Sequence, residues 1–260
     1  MAGDRRFPRP GRGSVAVLRR QFLAWRKAAV STMLGDLIDP LIMLLALGYG
    51  LGGLLPEVDG VTYIVYIAGG LVCMSALWAA TFECTFSTYS RLRVQRIWDA
   101  LLNTPLGLDE VLWAELAWGT LKALKAGIFI LLVVVVLDIS RQPQLLLVPP
   151  VLALAGLTFT ALALCFTALA RSYDFFIYYF TLLVTPMVFL SGVFFPMDQL
   201  PAWLAAAVSI LPLAPAAELV RPLLLGQWPA HAGPWLAQLA ITASAAIWLM
   251  AILMRRRLLR

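Results

Sequence analysis

Charge is what this sequence has least of. Asp, Glu, Lys and Arg together make up 13% of its 260 residues, about half the share in a soluble globular chain. Apolar residues make up 62%, and mean hydropathy is +0.86. One soluble core of this length could not hide so much apolar surface. A water-soluble enzyme or binding module is therefore excluded, and an all-α integral membrane protein is expected. Histidine is almost absent too: His231 stands alone, with no hydrolase-type serine motif near it, which leaves a histidine-dependent enzyme without its parts. No GxxxxGK[ST] loop occurs, so the chain cannot cradle ATP in the P-loop manner. Cys73, Cys84 and Cys165 sit in apolar runs at spacings that match neither a zinc site nor a redox pair; buried, inert thiols are expected. The acidic residues form no metal-ligand spacing, and neither a metal nor a cofactor is expected in this chain.

What charge there is has a pattern. The net charge is +6, yet the basic residues flank apolar segments and do not share one face, which argues against a nucleic-acid partner. They fit topological signals and contacts to anionic membrane lipid. Residues 1–13 are rich in Arg, Pro and Gly and are expected to be a disordered tail. From Ser14 to Ser31, Leu18, Phe22, Trp25 and Ala29 recur on one helical face, with Arg19, Arg20, Arg26 and Lys27 on another. That predicts an amphipathic helix lying in the headgroup plane. The same cations interrupt any cleavable signal peptide.

A helical crossing needs about 20 apolar residues, which predicts six spans within a single permease domain, 14–260, at about 37–55, 63–87, 116–137, 145–170, 175–195 and 234–254. Asp39 would cap the first, with Pro40 in its first turn. Gly48 and Gly52 make a GxxxG spacing that lets helices approach closely; subunit packing is the expected use, with an intramolecular partner left open. Glu57 and Asp59 mark a short acidic loop. Pro186 is placed to kink the fifth span. Residues 196–233 carry six prolines, too many for one crossing, and predict short re-entrant or interfacial helices. With both termini in the cytoplasm, cytoplasmic segments hold sixteen of the twenty basic residues, a clear positive-inside bias.

That bias places Arg91–Glu115 in the cytoplasm. Arg91, Arg93 and Arg96 open this stretch and the amphipathic run Ile97–Leu102 follows, until Asn103-Thr104-Pro105 breaks it. Asp109-Glu110 is a second helix start. Ile97, Trp98, Leu101 and Leu102 would anchor a short helix on another protein, and the arginines beside them would favour an acidic rim. Glu83, Lys122 and Lys125 lie within the spans, where ionisable groups are costly and are usually paired or functional. At ~1.5 Å per residue, Glu83 and Lys122 share a depth. A Glu83–Lys122 or Glu83–Lys125 pair is expected, with a polar substrate path or lysines snorkelling inward to the headgroups as further readings. Trp78, Phe82 and Phe86 follow one helix face, which predicts a packing stripe; stacking on sugar or lipid is the second reading.

Several short motifs, taken in order, resemble ABC transporter type-2 (ABC-2) permeases. These are Asp39-Pro40-Leu41 with Gly48-Tyr49-Gly50-Leu51-Gly52, then Leu102-Asn103-Thr104-Pro105-Leu106. Further on come Leu190-Ser191-Gly192-Val193-Phe194-Phe195-Pro196, Leu200-Pro201, Leu211-Pro212-Leu213, Arg221 and Gly226. The resemblance runs from about Asp39 to Met254. Within the family it is to the nodulation protein J subgroup, whose members export lipo-oligosaccharide, although Ala214-Pro215 stands where that pattern has Thr-His. The resemblance implies a half-transporter of the bacterial inner membrane, not itself an enzyme. Two copies would pair, and each would seat a cytoplasmic ATPase that holds ATP and Mg. The coupling contact would be carried by Arg96, Ile97, Trp98, Leu101, Leu102 and Pro105, and the cargo would be a lipo-oligosaccharide, a polysaccharide intermediate or a drug. The alternative is a secondary transporter or channel working without ATPase. Such proteins often carry inverted repeats with broken helices, and no such repeat is visible.

Overall fold

A computed structural model describes residues 7–258 apart from Pro56 and Asp59. The expectations for residues 1–6 of the tail, for Asp59 and for Arg260 lie outside the described residues. The part of the tail that is described is tied down. Trp113 Nε1 donates to the Pro8 carbonyl at 2.8 Å, and the Gly13 amide donates to Glu110 Oε1 at 2.9 Å. Backbone amides with no bulky side chain can reach the carboxylates at a helix start.

The helix Arg12–Arg26 runs along the beginning of span three. It buries Val17 and Gln21 and leaves Val15, Phe22 and Leu23 exposed. The face turned inward is therefore the one with a glutamine, and the exposed apolar face is free for lipid. Span one follows as Ala29–Leu51, beginning well before residue 37 because nothing from Ser31 to Asp36 breaks the periodicity. Pro40 thus lies inside the helix and frees the carbonyl four residues earlier, that of Asp36. A small antiparallel hairpin, Glu57–Val58 against Val61–Thr62, leads to span two.

Span two, Tyr63–Val94, is the central helix, packed on spans three and four and on the helix Leu213–Leu224. It is longer than expected and contains two π-turns, Glu83–Ser87 and Ser90–Val94. Arg96 then takes a left-handed conformation with φ 50°, and the short helix Ile97–Leu102 follows. Span three is Leu108–Val136. It starts earlier than the expected 116 because the acidic pair works as a true N-terminus: Glu110 Oε2 accepts from the Gly107 amide at 3.0 Å, with Asp109 in the same first turn. The polar interval between the two spans is correspondingly short.

Spans four and five are Pro143–Leu169 and Tyr173–Leu190. Span five is irregular, and a π-turn over Phe180–Val184 precedes Pro186, absorbing the break that proline makes. Residues 196–233 contain two helices, Ala202–Ser209 and Leu213–Leu224, bent by 88°. Span six, Ala232–Leu258, packs along span four. Its terminal arginines are structural: Arg257 Nη1 donates to the Ala168 carbonyl at 2.9 Å, capping the end of span four. Arg255 pairs with Asp109 at 2.8 Å. The chain is thus a multi-pass all-α membrane protein, with six helices among the described residues long and apolar enough to cross a bilayer. All three cysteines are free and buried.

The bent segment is held from the centre. Gly192, with φ 76°, turns the chain out of span five in a conformation that favours glycine. Its carbonyl accepts from Tyr66 Oη at 3.0 Å and from Arg221 Nη2. The Arg221 guanidinium lies 3.9 Å from the Tyr66 ring centroid and also donates to Glu218 at 2.9 Å. Non-helical backbone at membrane depth requires this kind of internal satisfaction.

Candidate functional site

The ionisable groups inside the spans converge where the N-terminal helix and spans one, two and three meet. Glu83 opens the first π-turn of span two. A π-turn takes up one extra residue, so Arg91, eight positions on, returns to the Glu83 face as a residue seven positions on would in an unbroken helix. Arg91 Nη1 lies 2.8 Å from Glu83 Oε1, and Nη2 lies 2.6 Å from Glu115 Oε2. Glu115 also accepts from Arg91 Nε at 3.2 Å, from Thr88 Oγ1 at 3.1 Å and from Gln21 Nε2 at 2.8 Å. With side-chain exposure of only 2%, its carboxylate needs all of these partners to offset desolvation. One acid thereby ties the N-terminal helix and span two to span three.

The lysines divide between the acids. Lys122 Nζ sits 3.6 Å from Glu83 Oε2 and over the Trp25 and Trp118 rings at 5.4 and 5.6 Å. Lys125 pairs with Asp36 of span one instead, so the expected Glu83–Lys125 alternative is not formed; one turn further along span three, Lys125 faces a different helix. Trp25 also donates to Thr32 Oγ1 at 2.9 Å, closing the bend between the N-terminal helix and span one.

A cavity of about 570 Å³ opens between spans one and two, with Lys122 of span three in its wall. Asp36, Asp39, Ser75, Trp78 and Phe82 contribute the rest of its character. A second cavity of about 610 Å³ shares Thr32, Glu83, Ser87 and Lys122 with the first and reaches Arg20, Gln95 and Ile97 beside the short helix. Together they form one groove, aromatic and acidic at the inner end and basic at the other. Both volumes fall in the range of small-molecule sites, about 300–1,000 Å³. The aromatic stripe of span two packs on span five: Trp78 and Phe82 stack at 5.5 Å, and Phe180 lies 5.8, 5.4 and 5.8 Å from Trp78, Phe82 and Phe86. Phe82 is nonetheless half exposed, so the stripe packs on one side and lines the groove on the other.

Two expected surfaces are arranged differently. Trp98 has no exposed area; it anchors the short helix to its own chain, with Leu101 and Leu102 packed half-buried on the same core. Its ring is turned to its own spans and not to the open surface of the short helix. The surface left open consists of Arg93, Arg96, Asp99 and the stretch Asn103 to Pro105, with Ile97 half-buried at its edge. In the GxxxG pair, a Cβ on Gly48 would lie 2.7 Å from Ile64 of the same chain, and one on Gly52 would meet the Gly48 carbonyl. Close packing of span one on span two uses Gly48, whereas the near neighbour of Gly52 is the backbone of its own helix. Span one does expose another stripe, Leu34, Ile38, Ile42, Leu45 and Tyr49.

Sequence reasoning did not single out Gln21, Asp36, Asp39, Arg91 or Glu115 as members of this cluster. A signal was there for Asp36 and Asp39, which stand three residues apart in a periodic run that extends back to Ala29. For Arg91 there was none, since a π-turn leaves no mark in composition.

Residues 14–225 match the family model described as ABC-2 type transporter. The chain is 44% identical over 253 residues to nodulation protein J of Rhizobium meliloti (strain 1021), covering 97% of each chain. It is 43% identical over 254 residues to nodulation protein J of Rhizobium leguminosarum bv. viciae, covering 98% of each. The inner membrane transport permease YadH of Escherichia coli (strain K12) is 23% identical over 172 residues, 66% of this chain and 67% of that protein.

Proposed function

This chain belongs to the ABC-2 type transporter family, as a membrane subunit, and on that premise we propose that it is the permease of an ATP-driven exporter. It moves an amphipathic substrate of lipo-oligosaccharide or polysaccharide type outward across a bacterial inner membrane. A separate cytoplasmic ATPase, which holds the ATP and Mg, supplies the energy. Relatives that share nearly the full length carry the name nodulation protein J, and a more distant one is named an inner membrane permease.

The observation that carries this reading is the unbroken line of contacts from the short helix to the groove. The open residues Arg93, Arg96 and Pro105 are the docking surface. Trp98, buried among the spans, makes the short helix a rigid handle on the chain that bears it. From there Arg91 links span two to span three through Glu83 and Glu115, and Lys122 reaches from the same cluster into the cavity wall. A push on the handle moves the walls of the groove together. Both termini lie in the cytoplasm in this reading, in line with the positive-inside bias. A second copy covers the exposed stripe of span one, and lipid covers the apolar face of the N-terminal helix. Co-expression with a candidate cytoplasmic ATP-binding cassette protein tests the assignment: the two should purify as one complex. Recovery of the permease free of ATPase under conditions that preserve its fold would count against it.

A further inference from the structure

Six of the seven ionisable groups clustered in spans one to three have partners. Arg91, Glu83, Glu115 and Lys122 form one network, and Asp36 holds Lys125. Asp39 is the seventh. It lies in the interior of span one, lines the cavity of about 570 Å³, is exposed to it, and has neither an ion pair nor a hydrogen bond among the described residues. A carboxylate in a membrane span without a partner is costly and marks function by default. Opposite it stand Trp78 and the half-exposed Phe82.

We infer that Asp39, with Trp78 and Phe82, is the glycosyl-binding subsite of the transport groove. An ionised carboxylate can only accept hydrogen bonds, so its ligand must bring donors. A pyranose brings hydroxyl donors on its rim and flat C–H faces that lie on aromatic rings. A cationic headgroup also suits a carboxylate beside aromatic rings, but it would meet Lys122 in the same cavity wall, while a neutral polyol carries no charge for that lysine to oppose. Asp39 thus selects the headgroup, and the apolar remainder of the substrate stays toward lipid.

This inference rests on the exporter reading, but its test needs no ATPase, so loss of binding and loss of ATP coupling are separate results. The probe is dodecyl maltoside carrying a diazirine in its alkyl chain, photo-crosslinked to the full chain in nanodiscs and competed with unlabelled dodecyl maltoside. Competable labelling of span one and span two peptides should fall at least ~10-fold in Asp39→Ala (1.4 kcal/mol is tenfold) and stay within about threefold in Asp39→Asn, which keeps an acceptor oxygen. Gly35→Leu is an independent variant: Gly35 lines the same cavity and its Cβ position faces open space, so leucine should block labelling without disturbing the fold. Labelling that is indifferent to Asp39→Ala and Gly35→Leu overturns the subsite. So does a dodecylammonium probe that labels more strongly than the maltoside and is abolished by Asp39→Asn. A change of oligomeric state in Asp39→Ala overturns it as well, by making Asp39 a subunit contact.

Discussion

Arg91 grips Glu115 with two nitrogens, Nη2 at 2.6 Å and Nε at 3.2 Å, across the junction of spans two and three. A planar guanidinium matched to both oxygens of a carboxylate is the strong form of this interaction. Because Glu115 is almost fully buried, the pair is a brace and not a surface ornament.

Removing the acid leaves Arg91 with Glu83 and the Thr88 hydroxyl. Glu115→Ala should destabilise the chain by about 3 kcal/mol. Gln21→Ala removes one hydrogen bond to the same carboxylate and should cost less, about 1.5 kcal/mol. Unfolding in mixed micelles with increasing SDS measures both. Equal, negligible shifts would mean the brace contributes nothing to the fold.

The short helix and its N-cap make two opposite predictions from positions two residues apart. Trp98→Ala empties a fully buried site and should cost about 3–5 kcal/mol of stability. Arg96→Glu, at an exposed position, should leave unfolding unchanged while lowering ATPase recovery in pull-down. If Trp98→Ala keeps its stability and loses only the ATPase, the tryptophan faces the partner after all.

Gly48 should behave as an internal contact. Gly48→Leu drives a side chain into Ile64 and should lower stability by about 1–3 kcal/mol. Ile64→Ala in the same chain should restore part of the loss. Cross-linking should show an unchanged oligomeric state throughout; dissociation of a dimer by Gly48→Leu alone would return the glycine to the subunit face.

Arg221 makes a prediction about opening of the bent segment. Arg221→Lys loses the fork shared between the Gly192 carbonyl and Glu218, which a point-charge ammonium cannot reproduce. Loss of one charged hydrogen bond, about 2 kcal/mol, raises the open population ~30-fold. Labelling of Val193→Cys by a soluble maleimide should accelerate accordingly, and an unchanged rate would show that Arg221 does not hold Gly192.

Much of this was legible in the sequence, and the exceptions have physical causes. Long apolar runs bounded by charge disclosed six spans, and the proline-rich stretch before the last one disclosed the bend between Ser209 and Leu213. Helix starts were harder. Asp39-Pro40 and Asp109-Glu110 both look like beginnings, but only the second is one, because packing on spans two and three carries span one through its proline. The π-turns of span two were invisible. They decide where Arg91 points, and with it the make-up of the charge cluster. Trp98 shows the remaining limit: hydrophobic residues on a six-residue helix announce an anchor, but their order cannot say whether it is set in the chain itself or in a partner.

The most direct test of the central claim is ATP-dependent flux. Inverted membrane vesicles containing this chain and its partner ATPase are given a fluorescent acylated oligosaccharide, and accumulation inside is followed with and without ATP. The account predicts uptake that requires ATP, stops with a hydrolysis-dead ATPase and falls sharply with Arg96→Glu in the permease. Uptake that proceeds equally without ATP and without the ATPase would contradict it, and would make the chain a secondary transporter or a channel.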